Sequence, residues 1–571
     1  MHEHLVLCGS TSASEPQNAL RLSLSGPSQN LQVRLGDLGR KLVKHVPDRL
    51  ADLVDVAAYV YGADLATSRG GSVARQMGAD WRRDLQFVIP VRDASHWQRQ
   101  EICDGLASTL RFLSDDNYDF DFQLAGNAAS SPEYLSWDEA DATAFQPDEV
   151  VLFSGGLDSL AGAVEELATS SKRLALISHR PSSKIYDHQK RLVAALKDAF
   201  PKRVMHIPVL INRQNPLPVK EYTQRTRSFL YASVAAAIAH MFGLGGVRFF
   251  ENGVISMNLP IAEQVIGTRA TRTTHPLTLS MLATLMSSVL ESPFVVENPF
   301  IWNTKAEVVG KIARHGFGGL IRHTVSCSKV QEMSHAHTHC GCCSQCIDRR
   351  FGVLAAGLER YDPPELYKVD LLEGARERGI DRTMAESYVR THVEMRSMSP
   401  LSFAGRYGGE LGRICLAAST IPSEQVAQRV MDLHWRHGNE VAGVLERALH
   451  TLGPKLVRGE LPATSIVRMA LVPSEERKAI PDASERWLDQ EASQYPDAGI
   501  AAPPLGGNRK PKSTPSRDRA ERAIRKLYPK GLPDATDLPN KLLCKQVSDS
   551  IGTGPLRVSD DTILRAALRR I

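Results

Sequence analysis

The decapeptide Val150-Val-Leu-Phe-Ser-Gly-Gly-Leu-Asp-Ser159 decides how the middle of this chain folds. Four apolar residues run directly into Ser154-Gly155-Gly156, and a helical pattern begins at Leu157. Adjacent glycines let the backbone turn tightly and approach a ligand closely. Successive amide N–H groups at a helix start form an anion site that the helix dipole strengthens. The stretch therefore predicts a phosphate-binding loop after a buried strand. The GxxxxGK[ST] motif of ATPases and GTPases does not occur in the chain.

Strand and helix patterns alternate after this loop. The apolar, strand-like runs occupy 149–153, 174–177, 204–211 and 247–251, and the helical patterns between them occupy 157–169, 186–200 and 228–241. Strict alternation predicts a parallel sheet with helices on both faces. Ligands of such sheets bind at the carboxyl ends of the strands. We therefore expect an α/β domain at 148–365, with its site at the end of the strand that precedes Ser154.

The flanking regions have other patterns. Residues 1–147 mix helical and strand patterns, which predicts an N-terminal α/β domain whose role the sequence does not indicate. Strand patterns stop after residue 365, so 366–496 is predicted to be mostly helical, with a helix at 423–452 interrupted near Gly438. Four prolines and three glycines mark 497–518 as a linker. The remaining 519–571 is predicted to be a basic helical module, with helices at 517–528 and 559–570 joined by a Gly-containing connection.

Composition restricts the class of protein only broadly. The 571 residues are 42% hydrophobic and 23% charged with a net charge of +5. These values fit a globular protein and exclude a collagen-like or wholly disordered chain. The uncharged stretch 228–247 is long enough to cross a membrane, but its alanines, glycines and polar residues favour a buried helix. The N-terminus lacks the pattern of a signal peptide, and nine cysteines are an odd number. The predicted location is the reducing cytoplasm, without a membrane partner.

Five of the nine cysteines lie between Cys327 and Cys346. Cys340, Cys343 and Cys346 are each separated by two residues, so a tight turn can direct three sulfurs at one centre, and Cys327 can supply the fourth. Four thiolates without an open position are typical of a structural zinc site. An iron–sulfur cluster or a redox CxxC pair are the alternatives. Cys342 is interpreted as a small residue of the turn or a competing ligand, and the histidines at 335, 337 and 339 as an exposed loop.

These motifs together resemble the PP-loop enzymes, and specifically the 7-cyano-7-deazaguanine synthases of the QueC family. The elements SGGxDS at 154–159, Ser326-Cys327 and His339-Cys-Gly-Cys-Cys-Ser-Gln-Cys-Ile-Asp-Arg349 occur in the family's order. The segment 298–307 also resembles the family's Pro-hydrophobic-Trp-x-x-Lys-Ala-Glu element. The resemblance covers about 148–360. It implies a PP-loop fold and an enzyme that splits ATP between its α- and β-phosphates to adenylate a carboxylate.

The resemblance also implies the cofactors and the site. ATP and Mg²⁺ are expected at the loop, with Zn²⁺ at the cysteines, and the adenine is expected beside Ser178. Lys305 is expected to stabilise charge on the phosphates or the adenylate, with Asp158 and Ser159 as the other catalytic residues. The expected ATP-binding residues are Ser154, Gly155, Gly156, Leu157, Asp158, Ser159 and Ser178. The implied substrate is 7-carboxy-7-deazaguanine, and the implied acceptor of its acyl group is ammonia or an amine on a partner macromolecule.

The chain departs from the small biosynthetic enzymes of this family. It carries Arg225 and Arg227 where those enzymes carry Gly-Arg-Asn, and a guanidinium suits either a substrate carboxylate or a phosphate. Its long extensions resemble proteins of bacterial anti-phage defence operons, the Qat and type IV CBASS kinds, which implies operon partner proteins. The segment from Arg509 onward contains 15 basic and 7 acidic residues. This basic module suits nucleic-acid phosphates or docking to a protein. An RNA-modifying enzyme and a non-catalytic scaffold are the alternative functions.

Overall fold

The computed structural model describes most of the chain in two compact units, Met1–Gln490 and Glu491–Ile571. The described residues of the first unit are 2–9, 19–35, 47–69, 81–126, 145–179, 183–213, 217–218, 220, 225–261, 271–334 and 336–471. Those of the second unit are 520, 523–524, 526–528, 540–551 and 563. The predicted linker at 497–518 lies outside the described residues.

The first unit begins with a four-stranded parallel sheet. Its first 126 residues supply strands β1 His2–Cys8, β2 Leu20–Leu22, β3 Leu31–Leu35, β4 Arg83–Val91 and β5 Asn117–Leu124, with helices α1 Asp48–Ala66, α2 Ala94–Trp97 and α3 Gln100–Ser114. The sheet has the order β2-β1-β4-β5, and each neighbouring pair is parallel. The predicted α/β character of this region is confirmed.

A second, six-stranded sheet carries the loop. Its elements are β6 Glu149–Leu152, α4 Leu157–Thr169, β7 Leu174–His179, α5 Ser183–Ala199, β8 Val204–Arg213, α6 Arg227–Met241, β9 Gly246–Arg248, α7 Gly253–Met257, α8 Pro276–Leu290 and β10 Val295–Glu297. The order is β10-β9-β6-β7-β8-β3, parallel except for β3 against β8. The chain leaves β6 towards β8 and then returns to β9 on the other side. The carboxyl end of β6 is therefore the switch point where ligands of such sheets bind.

The two sheets share one hydrophobic core. Strand β3 comes from the first 147 residues but forms an edge of the second sheet, and one cluster of buried side chains includes residues of α1, α6 and α8. Asp64 of α1 accepts hydrogen bonds from the backbone N–H and hydroxyl of Thr226, at 3.1 and 3.0 Å, just before α6. The two sheets are therefore packed together, and β3 belongs to the second sheet although it precedes the predicted boundary at 147.

Helix α6 contains most of the uncharged stretch. Its residues from Phe229 to Ala239 are almost all buried, and they belong largely to the shared core. The prediction of a buried helix is confirmed. Among the described residues, no helix combines the length and the apolar character that crossing a membrane requires.

The rest of the described first unit is helical, and the prediction of a mostly helical region after residue 365 is confirmed. Its helices are α9 Lys305–Arg314, α10 Ser344–Ala355, α11 Gly379–Met395, α12 Pro400–Ala417, α13 Ser423–Val457 and α14 Ile466–Leu471. The predicted interruption near Gly438 is wrong, because α13 runs unbroken through it. A Cβ at Gly438 would lie 2.4 Å from the carbonyl oxygen of His392, so the glycine lets α11 approach α13. Ile347 and Phe351 of α10 are buried against these helices.

The second unit has a small core of its own. It contains the helix α15 Asn540–Ile551 and helical residues at 520, 523–524 and 526–527. The buried residues that form this core are Ala520, Ala523, Ile524, Leu543, Cys544, Val547 and Ile563. The sequence analysis predicted helices on either side of 540–551 and did not predict α15 itself.

Candidate active site

The predicted phosphate loop follows β6 directly. Gly155 has a φ of +81°, a conformation that glycine adopts without strain. The hydroxyl of Ser154 accepts from the backbone N–H of Gly156 at 3.2 Å and lies 3.2 Å from the hydroxyl of Ser159. The residue before α4 is Gly156, which has no side chain to cap the first helical turn. The N–H groups of Leu157 and its neighbours are therefore left for another acceptor, the arrangement that an anion site requires.

Two neighbouring segments hold this loop in place. The side-chain amide of the buried Gln189 donates to the carbonyl oxygens of Ser154 and His179, both at 2.9 Å, and so joins the ends of β6 and β7. The backbone N–H of Val325 donates to the carbonyl oxygen of Gly155 at 3.0 Å. The loop is therefore connected both to β7 and to the segment that leads into Cys327. No sequence signal pointed to Gln189.

The predicted residues Asp158 and Lys305 meet at the end of β6. The ammonium of Lys305 lies 2.5 Å from Asp158 Oδ2, 3.1 Å from Asp348 Oδ2 and 3.8 Å from Glu251 Oε1. Lys305 is only 1% exposed. Burial lowers the pKa of Lys305, but the three carboxylates together raise it above its ordinary value. The ammonium therefore stays charged and is already engaged by carboxylates.

Glu251 and Asp348 also belong to this cluster, and neither was predicted from the sequence as a site residue. Glu251 comes shortly after β9, next to the switch point, and its position could have identified it. Burial and the charge of Asp158 raise the pKa of Glu251 well above its usual range. Asn252 donates to Asp158 Oδ1 from its backbone N–H at 3.2 Å and from its side chain at 3.4 Å. Carboxylate oxygens around a phosphate loop are the donors that Mg²⁺ takes in proteins, so this group of residues fits that ion.

Ser178 lies near the loop but is fully buried. Its hydroxyl donates to the carbonyl oxygen of Phe153 at 2.7 Å and lies 2.9 Å from Nε2 of His206. Burial, with a smaller effect of Lys197, lowers the pKa of His206 to about 4, so the imidazole is neutral at pH 7. The hydroxyl of Ser178 is thus used within the sheet, and only the backbone of this residue remains for a nucleotide.

The two candidate arginines have different surroundings. Arg225 is buried with its guanidinium 5.3 Å from the ring centre of Trp81, from the N-terminal region. Arg227 is exposed at the first turn of α6. Burial, and then the charge of Arg227, lower the pKa of His179 at the end of β7 to about 3. Arg227 therefore places positive charge near the carboxyl edge of the sheet, while Arg225 packs against the N-terminal region.

The four predicted metal ligands are assembled at one centre. The sulfurs of Cys327, Cys340, Cys343 and Cys346 all lie within 4.8 Å of one another, and all four residues are buried. Two of the separations are 4.0 Å (Cys327–Cys343) and 3.9 Å (Cys340–Cys346). A tetrahedral zinc ion with Zn–S bonds of about 2.3 Å requires sulfurs about 3.8 Å apart. The group of thiols therefore fits a structural zinc ion.

The comparison with known families falls on this part of the chain. Residues 275–357 match the family model described as Queuosine biosynthesis protein QueC. The matched segment contains Lys305, Asp348 and all four clustered cysteines, and it begins well after the phosphate loop. A comparison with curated proteins finds no match. The segment, the loop and the parallel sheet together support a QueC-like protein of the ATP-using PP-loop class.

Within the QueC-like segment, one histidine corrects an earlier interpretation. His339 is only 1% exposed, stacks on Tyr367 with ring centres 4.9 Å apart and pairs with the hydroxyl of Thr338 at 2.8 Å. The interpretation of an exposed histidine loop is therefore wrong for His339. His337 is partly exposed, and position 335 lies outside the described residues. Cys342 is buried but is not part of the four-sulfur group.

Arg349, at the end of the cysteine motif, connects the metal centre to the loop. It is fully buried and donates to Asp362 at 2.7 Å and to the hydroxyl of Thr324 at 2.6 Å. Although burial raises the pKa of Asp362, the charge of Arg349 holds it below its usual value. Thr324 precedes Val325, which binds the carbonyl oxygen of Gly155. Arg349, three residues after Cys346, is therefore joined to the phosphate loop by its hydrogen bond to Thr324, the next residue Val325 and the bond of Val325 to Gly155.

Proposed function

We propose that this chain is an ATP-dependent ligase that adenylates a carboxylate of the 7-carboxy-7-deazaguanine type and transfers the acyl group to an amine. The observation that carries the proposal is the contact of Asp158 and Lys305 at the switch point, directly after the phosphate loop. The QueC-like segment supplies Lys305 and the cysteine cluster. Buried carboxylates at the loop fit the Mg²⁺ that accompanies ATP.

The proposed first step converts a poor electrophile into a reactive one. A carboxylate oxygen attacks the α-phosphorus of ATP, and the bond to the β-phosphate oxygen breaks, so that pyrophosphate leaves. The backbone N–H groups of Gly155, Gly156 and Leu157 and the hydroxyls of Ser154 and Ser159 would hold the pyrophosphate. Mg²⁺, held by Asp158 and Glu251, would neutralise phosphate charge. Most of the rate enhancement would come from positioning and fixed charges.

The proposed second step forms the carbon–nitrogen bond. The amine attacks the acyl carbon, AMP leaves with the bonding electrons, and the nitrogen loses a proton. We propose ammonia or an amine on a partner macromolecule as the acceptor, and an anti-phage defence operon as the setting. The support is that the regions before residue 275 and after residue 357 lie outside the QueC match, and that the second unit carries excess positive charge.

Product analysis tests the proposed function. The full-length protein is incubated with Mg·ATP, 7-carboxy-7-deazaguanine and ammonia, and the nucleotides and acyl products are measured by mass spectrometry. AMP and pyrophosphate that appear only with the carboxylate are the expected result. ADP with phosphate would contradict the proposed cleavage. AMP formation that requires RNA in place of the deazaguanine would favour an RNA-modifying enzyme, and no turnover with either would favour a scaffold.

Arg227 is expected to bind the carboxylate substrate. Arg227→Ala should raise KM for the carboxylate at least tenfold, with KM for ATP changed less than twofold. A hydrogen bond to a charged group is worth about 1.5–3 kcal/mol, which corresponds to roughly 10- to 100-fold. Steady-state pyrophosphate release measures both constants. Arg111→Ala, an exposed arginine of α3, is the matched control. An unchanged KM for the carboxylate would remove Arg227 from the substrate site.

The second unit is expected to bind nucleic acid through its exposed lysines. Lys526 and Lys545 are both exposed. If each neutralises one phosphate of duplex DNA, replacing both with alanine should reduce the slope of log affinity against log salt by about 1.8. Filter binding at several salt concentrations measures the slope. Lys190→Ala, in the first unit, is the control. An unchanged slope, or no retention of nucleic acid by the wild type, would favour a module that docks to protein.

A further inference from the structure

A buried tyrosine from the C-terminal helices contacts the charged cluster behind the phosphate loop. Asp348 is completely buried, with Oδ2 3.1 Å from the ammonium of Lys305 and Oδ1 3.1 Å from the hydroxyl of Tyr388. Tyr388 is 1% exposed and lies on α11, outside the segment that matches QueC. Burial and the neighbouring Asp348 raise the pKa of Tyr388 well above its usual value, so the hydroxyl remains a donor. Its proton is therefore available to the carboxylate.

The contacts continue from Tyr388 back to the helix that carries Lys305. The hydroxyl of Tyr388 lies 3.0 Å from Nε2 of His437 on α13, and because the tyrosine proton is used on Asp348, His437 donates here. Nδ1 of His437 lies 3.5 Å from Glu440 Oε2, and neither atom has a hydrogen-bond partner among the described residues. The other oxygen of Glu440 accepts from the hydroxyl of Thr304 at 2.6 Å. Thr304 is the N-cap of α9, immediately before Lys305, so α13 contacts both Tyr388 and the start of the helix that carries Lys305.

We propose that Tyr388 and His437 are positioning residues for the phosphate loop, acting through Asp348 and Lys305 on Asp158. This inference rests on the proposed function. The ammonium of Lys305 has three protons, and three carboxylates lie around it at 2.5, 3.1 and 3.8 Å. If Asp348 loses the hydrogen bond from Tyr388, its carboxylate has one buried oxygen without a donor, which is costly. Asp348 then draws the ammonium of Lys305 closer to satisfy that oxygen. Lys305 then moves away from Asp158 Oδ2, while Oδ1 of Asp158 keeps its hydrogen bonds from Asn252.

Tyr388→Phe tests this coupling against a matched tyrosine. Tyr407 of α12 is also 1% exposed and lies in the same helical region. Its hydroxyl has no hydrogen-bond partner among the described residues, so Tyr407→Phe removes the same atom without removing a bond. We expect kcat for AMP formation to fall at least tenfold in Tyr388→Phe, with KM for ATP within twofold of wild type. The KM should persist because the phosphates would be bound by backbone N–H groups, which the substitution leaves in place. Tyr407→Phe should match the wild type.

His437 provides a second variant with a conservative rescue. Glutamine can place an amide N–H near the position of Nε2, whereas leucine cannot donate. His437→Gln should therefore keep at least half of the wild-type kcat, and His437→Leu should lose about as much as Tyr388→Phe. Equal loss in both His437 variants would mean that volume rather than the donated hydrogen bond is what matters, and would overturn the inference.

Hydrogen–deuterium exchange separates this inference from the proposed function. In Tyr388→Phe, the amides of 154–160 should exchange faster than in wild type and in Tyr407→Phe, while those of α11 and α13 stay unchanged. Unchanged exchange in the loop would overturn the inference even if the wild type makes AMP. Faster exchange throughout α11 and α13 would also overturn it, because it indicates general destabilisation. If the wild type makes no AMP, the proposed function fails, and the exchange of 154–160 alone decides whether the coupling exists.

Discussion

Replacing Asp158 with asparagine is expected to lower the rate of AMP formation at least 100-fold. The substitution keeps the shape of the side chain but removes the charge that pairs with Lys305 at 2.5 Å and that would hold Mg²⁺ beside Glu251. Removing one preorganised electrostatic contact at a reacting centre typically costs about 10²–10³ in kcat. Single-turnover pyrophosphate release with saturating ATP measures the step directly and excludes effects of product release.

The fold must survive this substitution for the rate to be informative. Asn252 donates to Asp158 Oδ1 through its backbone and side chain, and an asparagine at 158 retains an oxygen acceptor for these bonds. The melting temperature should therefore fall by only a few degrees, consistent with about 1–2 kcal/mol. Asp198→Asn, an exposed aspartate next to the end of α5, is the matched control and should behave as wild type. If Asp158→Asn retains a third or more of the wild-type rate, the proposed role of the loop is wrong.

Local chemistry made the loop and the metal ligands predictable. The turn at Ser154–Gly156 depends on two adjacent glycines, and its position after an apolar strand follows from neighbouring residues in the sequence. The spacing of Cys340, Cys343 and Cys346 likewise encodes a turn that brings their sulfurs together. In both cases the decisive contacts are formed by residues close in the chain, so periodicity and residue type were sufficient.

The site residues and the helix that were not predicted depend on contacts between residues far apart in the chain. Lys305 meets Asp158 across 147 positions in the chain, and the sequence analysis expected both in one site only because of a family resemblance. Asp348 lies inside the cysteine motif, which did not indicate a role for its carboxylate. Tyr388 lies in a region without any recognised motif. The low helix propensity of glycine predicts a break at Gly438. The helix continues because close contact with His392 of α11 requires a residue without a side chain there.

The C-terminal helices pack against the segment that carries the candidate site residues Lys305 and Asp348. Ile347 and Phe351 of α10 pack into the same cluster as Tyr388 and Val441. Arg436 of α13 pairs with Glu307 and donates to the carbonyl oxygen of Trp302 at 2.9 Å, on either side of the α9 N-terminus. These contacts position Lys305 from outside the QueC-like segment. In this chain the environment of Lys305 therefore depends on residues on both sides of the boundary at 357.

Replacing Cys343 with serine is expected to abolish stable zinc binding, whereas replacing the adjacent Cys342 with serine should leave it intact. Both thiols are buried, at 8% and 5% exposure, but only Cys343 belongs to the four-sulfur group. Mass spectrometry of metal content should find about one zinc per wild-type and Cys342→Ser chain and much less in Cys343→Ser. Equal zinc loss in both variants would show that Cys342 is a ligand, and iron in the wild type would show that the cluster is not a zinc site.

Loss of zinc is also expected to abolish AMP formation, because the segment that leads into Cys327 is bonded to the phosphate loop. Zinc binding contributes folding free energy, about 10–16 kcal/mol in isolated zinc fingers. Here the α/β core is formed independently of the cysteines, so the damage should stay local. It should follow the hydrogen bonds from Arg349 to Thr324 and from Val325 to Gly155 at 3.0 Å. Limited proteolysis should therefore cut Cys343→Ser within 324–346 while the β6–β8 sheet remains protected. Normal AMP formation by a zinc-free chain would contradict this connection. The zinc ion would then stabilise only the turn that contains the cysteines.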